Sequence, residues 1–372
     1  MRRGRLQILT AIVLFGAAIA LTNCRSTTGF GPYGKGGRQA NRGAEHSSPI
    51  EGSTGESTKE RSGDGSDNAL LVIGPEQRKE IDALVARMSV EELAGQLIVP
   101  VVYPSTNAQR IREAQNIVRQ IGAGGILFQK GDPYAQREMT SQLNDVSTLP
   151  LLITADAEWG LAMRLSSTIR YPRNSGLANC SPELITLMGG DLAAQCRTMG
   201  IHVNFAPVAD INNNPHNPVI GTRSFGTTSS EVTRCVLAFS KGMEDGGVLT
   251  VAKHFPGHGN TNRDSHKTLP TIKGSLSSMR KNELIPFKAY IDAGYGGIMT
   301  AHLSVPALDP TKTPASLSRP ITTDLLQNTL GFKGLIFTDG LQMAGAQQKG
   351  THPLGVAALL AGNDMLLSTR HL

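Results

Sequence analysis

Short apolar runs recur along the chain at Leu93 to Val102, Gly124 to Gln129, Leu151 to Ala155, His202 to Val208, Val248 to Ala252, Gly296 to Thr300, Gly334 to Thr338 and Asp364 to Ser368. Longer stretches of helical character separate them. This alternation is the pattern of a parallel sheet whose strands are joined by crossover helices. Several runs are apolar on consecutive rather than alternate residues, as strands covered on both faces require. Eight runs favour a closed (β/α)8 barrel of the TIM type, with a doubly wound open sheet as the competing architecture. A length of 372 residues fits one such barrel with insertions as well as two average domains, so pattern rather than length decides.

The residues that follow the runs carry the next step. Asp156 and Glu158 follow the third, Asp210 the fourth, Lys253 and His254 the fifth, His302 the sixth and Asp339 the seventh. In a (β/α)8 barrel the carboxyl ends of the strands meet on one face, where such enzymes place their chemistry. A buried charge without a partner is costly, so these groups must pair with each other, with water or with a ligand.

The segment before the first run has a different character. Met1-Arg2-Arg3-Gly4-Arg5 is a positive start to an apolar run from Leu6 to Leu21, which ends at Thr22-Asn23-Cys24. Residues 1–24 therefore read as a signal peptide, because the apolar run is short for a membrane span. Its end resembles the lipobox of bacterial lipoproteins, with Asn23 where a small residue is usual. That resemblance implies acylation of Cys24, with plain secretion as the alternative. Residues 25–69 are Gly, Ser, Thr and charge with almost no apolar periodicity, the composition of a disordered tether. Residues 70–372 form the barrel domain. The chain ends at Leu372, directly after the eighth run, which predicts a barrel without the helix that would cover its last strand.

Composition narrows the class. Hydrophobic residues at 39% and charged residues at 18% are those of a globular chain with a sizeable core. The net charge of +6 comes with many Lys and Arg in the first 80 residues, and aromatics make up only 5%, so no nucleic-acid partner is read. Cys180, Cys196 and Cys235 lack metal-type spacing; they read either as one disulfide plus a thiol or as three buried thiols in helices.

Lys253 to His266 is dense in Gly, His and polar residues and reads as a loop, with Gly257 and Gly259 freeing the backbone on either side of His258. One reading is a zinc site built from His254, His258, Asp264 and His266. It is the weaker one, because the His-x-x-x-His spacing aligns two imidazoles only on a helix, which Pro256, Gly257 and Gly259 forbid. The other pairs Asp264 with His266, so that a carboxylate orients an imidazole for proton transfer near neutral pH.

Lys253-His254-Phe255-Pro256-Gly257-His258-Gly259, then Asp264-Ser265-His266 and Leu269-Pro270, resembles the signature of family 3 glycoside hydrolases in their β-N-acetylhexosaminidase branch. Asp156-Ala157-Glu158, Asn204 to Asp210, Arg223-Ser224-Phe225-Gly226, Met299-Thr300-Ala301-His302 and Thr338-Asp339-Gly340-Leu341 extend the resemblance over about Ser89 to Ser368. It implies a retaining exo-glycosidase that removes terminal β-linked N-acetylglucosamine from peptidoglycan or chitin-like fragments. In it Asp339 is the nucleophile, His266 the general acid/base and Asp264 its partner. Asp156, Arg223, Lys253 and His254 hold the sugar. The branch commonly has Glu-Gly-Gly-Arg where this chain has Glu158-Trp159-Gly160-Leu161, so Arg164 is expected to supply the missing guanidinium. Trp159, the only tryptophan, belongs either in the core or against a sugar ring. No metal and no organic cofactor is implied. The expected partner is an N-acetylglucosamine-containing glycan, with membrane contact only through a lipid on Cys24, in an exported, envelope-located protein. A β-glucosidase of the same family, a metal-dependent hydrolase and a non-catalytic carbohydrate-binding lipoprotein remain the alternatives.

Overall fold

The structure is a computed structural model that describes residues 70–71, 73–347 and 352–368. The expected signal peptide, Cys24, the expected tether and the segment after the eighth run lie outside the described residues. Eight strands carry the fold: β1 Ile98–Val102, β2 Gly125–Phe128, β3 Leu152–Ala155, β4 Val203–Asn204, β5 Leu249–Phe255, β6 Gly297–Thr300, β7 Leu335–Thr338 and β8 Leu366–Ser368. Neighbours in sequence pair in parallel from β1 to β7, and β8 pairs with β1. A parallel bridge between Phe337 and Met365 joins β7 to β8, so the ring comes to closure as a (β/α)8 barrel and not as an open sheet.

Strand alternation divides the core into two layers. Val99, Leu127, Leu152, Val203, Leu249, Val251, Met299, Leu335, Phe337 and Leu367 form one buried cluster with side chains from all eight strands, which is the barrel interior. Their neighbours Ile126, Phe128, Ile153, Ala252, Ile298 and Ile336 belong to a second cluster shared with the helices. This double burial is why the runs are apolar on consecutive positions.

The crossovers begin with local capping chemistry. Ala108–Ile121, the helix after β1, starts at Asn107, whose side chain accepts from two backbone N–H groups, and ends at Gly122 with φ +67°. Pro133–Asn144, after β2, pairs a proline at its first turn with the Asp132 cap. Ser229–Asp245, after β4, opens on a Thr228–Glu231 capping box. Pro320–Thr329, between β6 and β7, is a π-helix, and Leu354–Ala361 leads into β8.

Three expectations are corrected here. The first apolar run is helical at its start, since Val90–Gly95 is a helix and the strand begins only at Ile98. The fifth strand does not stop at Ala252 but runs through Lys253 and His254 to Phe255, and all seven of its residues are buried. Cys196 and Cys235 are buried helical thiols, whereas Cys180 is half-buried and outside any helix; all three are free.

Candidate active site

A cavity of about 390 Å³ opens at the carboxyl ends of the strands. Val101, Leu127, Met299 and Leu367 reach it from within β1, β2, β6 and β8, and Asp156, Phe205 and Asp339 from directly after β3, β4 and β7. Asp156, Arg164, Arg223, Lys253, His254, His266 and Asp339 all line it. Asp264 does not; it stands behind His266.

The pairing that buried charge requires is met by a chain of five residues. Lys253, in phase with the inward Leu249 and Val251, extends Nζ to Asp156 Oδ1 at 2.8 Å and Glu158 Oε1 at 2.9 Å. Arg164 Nη2 reaches the other Asp156 oxygen at 2.6 Å. Arg223 closes on Glu158 in a bidentate fork, Nε to Oε2 at 2.9 Å and Nη2 to Oε1 at 2.7 Å. Burial alone would raise the Asp156 carboxyl, but Lys253 and Arg164 outweigh it and hold the group at about 2. Glu158 is likewise driven down by Arg223 and Lys253 against its burial. Three cations against two carboxylates leave this wall of the cavity with a net positive charge.

The register of β5 shifts between Ala252 and Phe255. An irregularity of this kind re-aims side chains, so successive residues Lys253 and His254 both line the cavity while Phe255 packs outward against Phe287. The bonds Lys253–His254, Phe255–Pro256 and Ala206–Pro207 are cis. His254 Nδ1 lies 2.6 Å from Asp210 Oδ2, which makes Nδ1 the donor and leaves Nε2, 3.4 Å from Arg223 Nη2, as acceptor. Asp210 also accepts from the backbone N–H of His254 and, at 2.6 Å, of His258.

Beyond the strand the chain turns through two glycines with different duties. Gly257 has φ +124°, a conformation that side chains resist. Gly259 is needed for close approach instead, because a Cβ there would sit 1.7 Å from the Ile211 carbonyl oxygen. His258 between them is buried and bonded on both nitrogens, to Thr261 at 2.8 Å and Ser265 at 3.1 Å, and burial lowers it to about 4. It ties the loop together. His254 and His258 are thus each committed to other side chains, and among the described residues no cluster of three or more His, Cys, Asp and Glu is placed to hold a metal.

The loop ends in the predicted dyad. Asp264 Oδ1 accepts from the His266 backbone N–H at 2.9 Å and lies 2.7 Å from His266 Nδ1. Burial raises the Asp264 carboxyl, but the two hydrogen bonds from His266 together outweigh it and lower the group. The His266 side chain is exposed at the cavity mouth. Asp339 is held at the end of β7 by its own N–H to the Thr300 carbonyl at 2.9 Å, and its Oδ1 accepts from Gly340 N–H at 2.7 Å. Desolvation pushes the Asp339 carboxyl up, and the facing imidazoles of His302, His254 and His266 with the Gly340 hydrogen bond bring it below the ordinary value. The chain that follows Asp339 meets the loop that carries His266 through backbone: Gly345 N–H donates to the Ser265 carbonyl at 3.0 Å.

Three further residues belong to this assembly although the sequence reading listed them only as strand-end polar groups. Glu158 holds Arg223 and Lys253, and Asp210 organises His254. Buried His302 donates from Nε2 to the Gly340 carbonyl at 3.0 Å and accepts at Nδ1 from Ser316 at 2.7 Å, fixing the residue beside Asp339. Their positions after strands three, four and six were the available signal. Trp159 does not line this cavity; its ring is buried beneath Arg173, 3.5 Å from the guanidinium carbon. Leu161, where the branch commonly has arginine, is buried, and Arg164 is the guanidinium that bonds Asp156.

Residues 89–372 match the Glycosyl hydrolase family 3 N terminal domain. A Pseudoalteromonas piscicida protein named Beta-hexosaminidase A is 39% identical over 54% of this chain and 36% of its own length. A Chromobacterium violaceum Beta-hexosaminidase is 35% identical over 70% of this chain and 74% of its own length. Among solved structures, a family 3 β-N-acetylglucosaminidase from a Paenibacillus species is 34% identical, with a TM-score of 0.69 over 76% of this chain and 55% of that one. The chain thus spans about a third of the first relative and about half of the Paenibacillus protein. The barrel, the order of its motifs and these likenesses agree: the chain belongs to glycosyl hydrolase family 3.

Proposed function

We propose that the protein is a retaining exo-glycosidase that removes terminal β-linked N-acetylglucosamine from glycans such as peptidoglycan or chitin-like fragments. The observation that carries this reading is the presence, in one cavity, of an Asp339 carboxylate held ionised and an imidazole bonded to a second carboxylate. The wall of paired charges opposite in function, Asp156, Arg164, Lys253, His254 and Arg223, supplies donors and acceptors for sugar hydroxyls.

In the first step Asp339 attacks the anomeric carbon as the glycosidic bond breaks, and protonated His266 gives the Nε2 proton to the departing oxygen. Nδ1 is occupied by Asp264, so Nε2 is the nitrogen that serves. The negative charge of Asp264 stabilises the imidazolium needed for this step. In the second step neutral His266 takes a proton from water, the water oxygen bonds to the anomeric carbon, and Asp339 leaves as carboxylate. Two inversions give net retention.

Nitrophenyl N-acetyl-β-glucosaminide and nitrophenyl β-glucoside, assayed side by side, test the reading. The first is expected to turn over with the β-anomer formed first by NMR. Preference for the glucoside would instead identify a β-glucosidase, and binding of the sugar without turnover a non-catalytic lectin-like role.

The amino end supports a further proposal, that the protein is exported and held at the envelope by a lipid on Cys24. Cys24→Ser is expected to abolish fatty-acid labelling and free the protein from membranes.

A further inference from the structure

Beside the sugar cavity, between the loops after β2 and β3, lies a second cavity of about 530 Å³. It shares Met163 and Arg164 with the first. Lys130, Arg164, Arg170 and Arg173 line it and no carboxylate does. Arg164 is paired through Nη2 with Asp156, but its buried Nε has no hydrogen-bond partner among the described residues. Lys130, Arg170 and Arg173 make no ion pair among the described residues, although Arg173 lies over the Trp159 ring. Trp159 completes the lining; only 8% exposed, it carries an indole N–H that is buried and unpartnered among the described residues.

Each of these features costs stability on its own. A buried donor left unsatisfied costs about 1–3 kcal/mol. Gathering like charges around one cavity raises its potential and its self-repulsion. Both costs are removed by one kind of occupant, an anion with several acceptor oxygens. Three cations without carboxylate partners favour a doubly charged group over a single carboxylate, and guanidinium forks match the oxygens of phosphate in spacing.

We propose that this cavity is a phosphate-binding site, with the Trp159 indole N–H and the Arg164 Nε–H as inner donors and Lys130, Arg170 and Arg173 at the rim. The phosphate is carried by the glycan that fills the neighbouring pocket or is free in solution. The proposal concerns binding and does not depend on the catalytic roles of Asp339 and His266.

The single tryptophan of the chain is a built-in reporter. The full chain is titrated with inorganic phosphate and with N-acetylglucosamine 6-phosphate, and with N-acetylglucosamine as a control, at constant ionic strength, following Trp159 fluorescence. A saturable change is expected with at least one of the two phosphate ligands. The double variant Lys130→Met/Arg170→Met, checked for wild-type circular dichroism, should weaken it by about tenfold or more. Tighter binding of the sugar phosphate than of phosphate or N-acetylglucosamine alone identifies the glycan as the source; equal binding of phosphate identifies the free anion. The proposal is overturned if neither ligand gives a saturable change, if chloride reproduces it, or if the double variant titrates like wild type.

Discussion

Asp264 and His266 are separated by a single residue, and their 2.7 Å contact is local chemistry that needs no distant partner. In the proposed mechanism the carboxylate fixes the imidazole so that Nε2 is free to serve the departing oxygen, and Asp264→Asn keeps an acceptor for Nδ1 while removing the charge. It is expected to lower kcat/KM on an aryl glycoside with a poor leaving group by about tenfold or more, and by less on one whose leaving group needs no proton. Steady-state kinetics on the two substrates check this; an equal loss on both would show that Asp264 only shapes the loop. The lowered Asp339 carboxyl keeps the proposed nucleophile ionised until pH falls below the ordinary carboxylate range.

At the level of elements, β5 and the turn after it determine what the cavity contains. Gly259 is pressed against the Ile211 carbonyl, and Gly274, whose nearest contact for an added Cβ is 3.6 Å away, provides a matched control. Gly259→Ala is expected to destabilise the protein by about 1–3 kcal/mol and to lower kcat, while Gly274→Ala leaves both nearly unchanged. Thermal unfolding and steady-state kinetics on the two variants separate the outcomes; equal behaviour would contradict the close approach. The same element marks how far the sequence could be read. Runs such as Leu151 to Ala155 and Gly334 to Thr338 show their strands plainly, because burial on both faces demands an unbroken apolar string. Lys253 and His254 look like loop residues, since a lysine in a barrel wall is tolerable only with partners. Those partners are Asp156, 97 residues earlier, and Glu158, and a local pattern cannot display them. The Asp264–His266 pairing and the strand-end acids were legible for the opposite reason, being short-range or fixed by the position of a strand terminus. Trp159 was not, because its choice between core and sugar depends on where Arg173 folds back.

Over the whole molecule, one ring of strands builds the cavity floor and must close at β7 and β8 to do so. Asp364 sits in that seam, where its N–H donates to the Ile336 carbonyl and its Oδ2 accepts from the Ile336 N–H, each at 2.8 Å. Burial lifts its carboxyl from 3.8 to about 7. A group whose folded pKa is raised stabilises the fold fully below its unfolded value and loses that contribution as pH rises through the folded one. Asp364→Asn keeps an acceptor for Ile336 and removes the charge. It is expected to be more stable than wild type at pH 8 by on the order of 2–4 kcal/mol and nearly equal to it at pH 4, as urea unfolding at about those two values would measure. An identical difference at both would contradict an ionisable group at the seam.

In the proposed mechanism Asp339 supplies the oxygen that bonds the sugar. Turnover of an aryl N-acetylglucosaminide by Asp339→Ala, in protein shown by its melting to be folded, tests this most directly. A loss of about a thousandfold or more is expected. Turnover within a few-fold of wild type would contradict it.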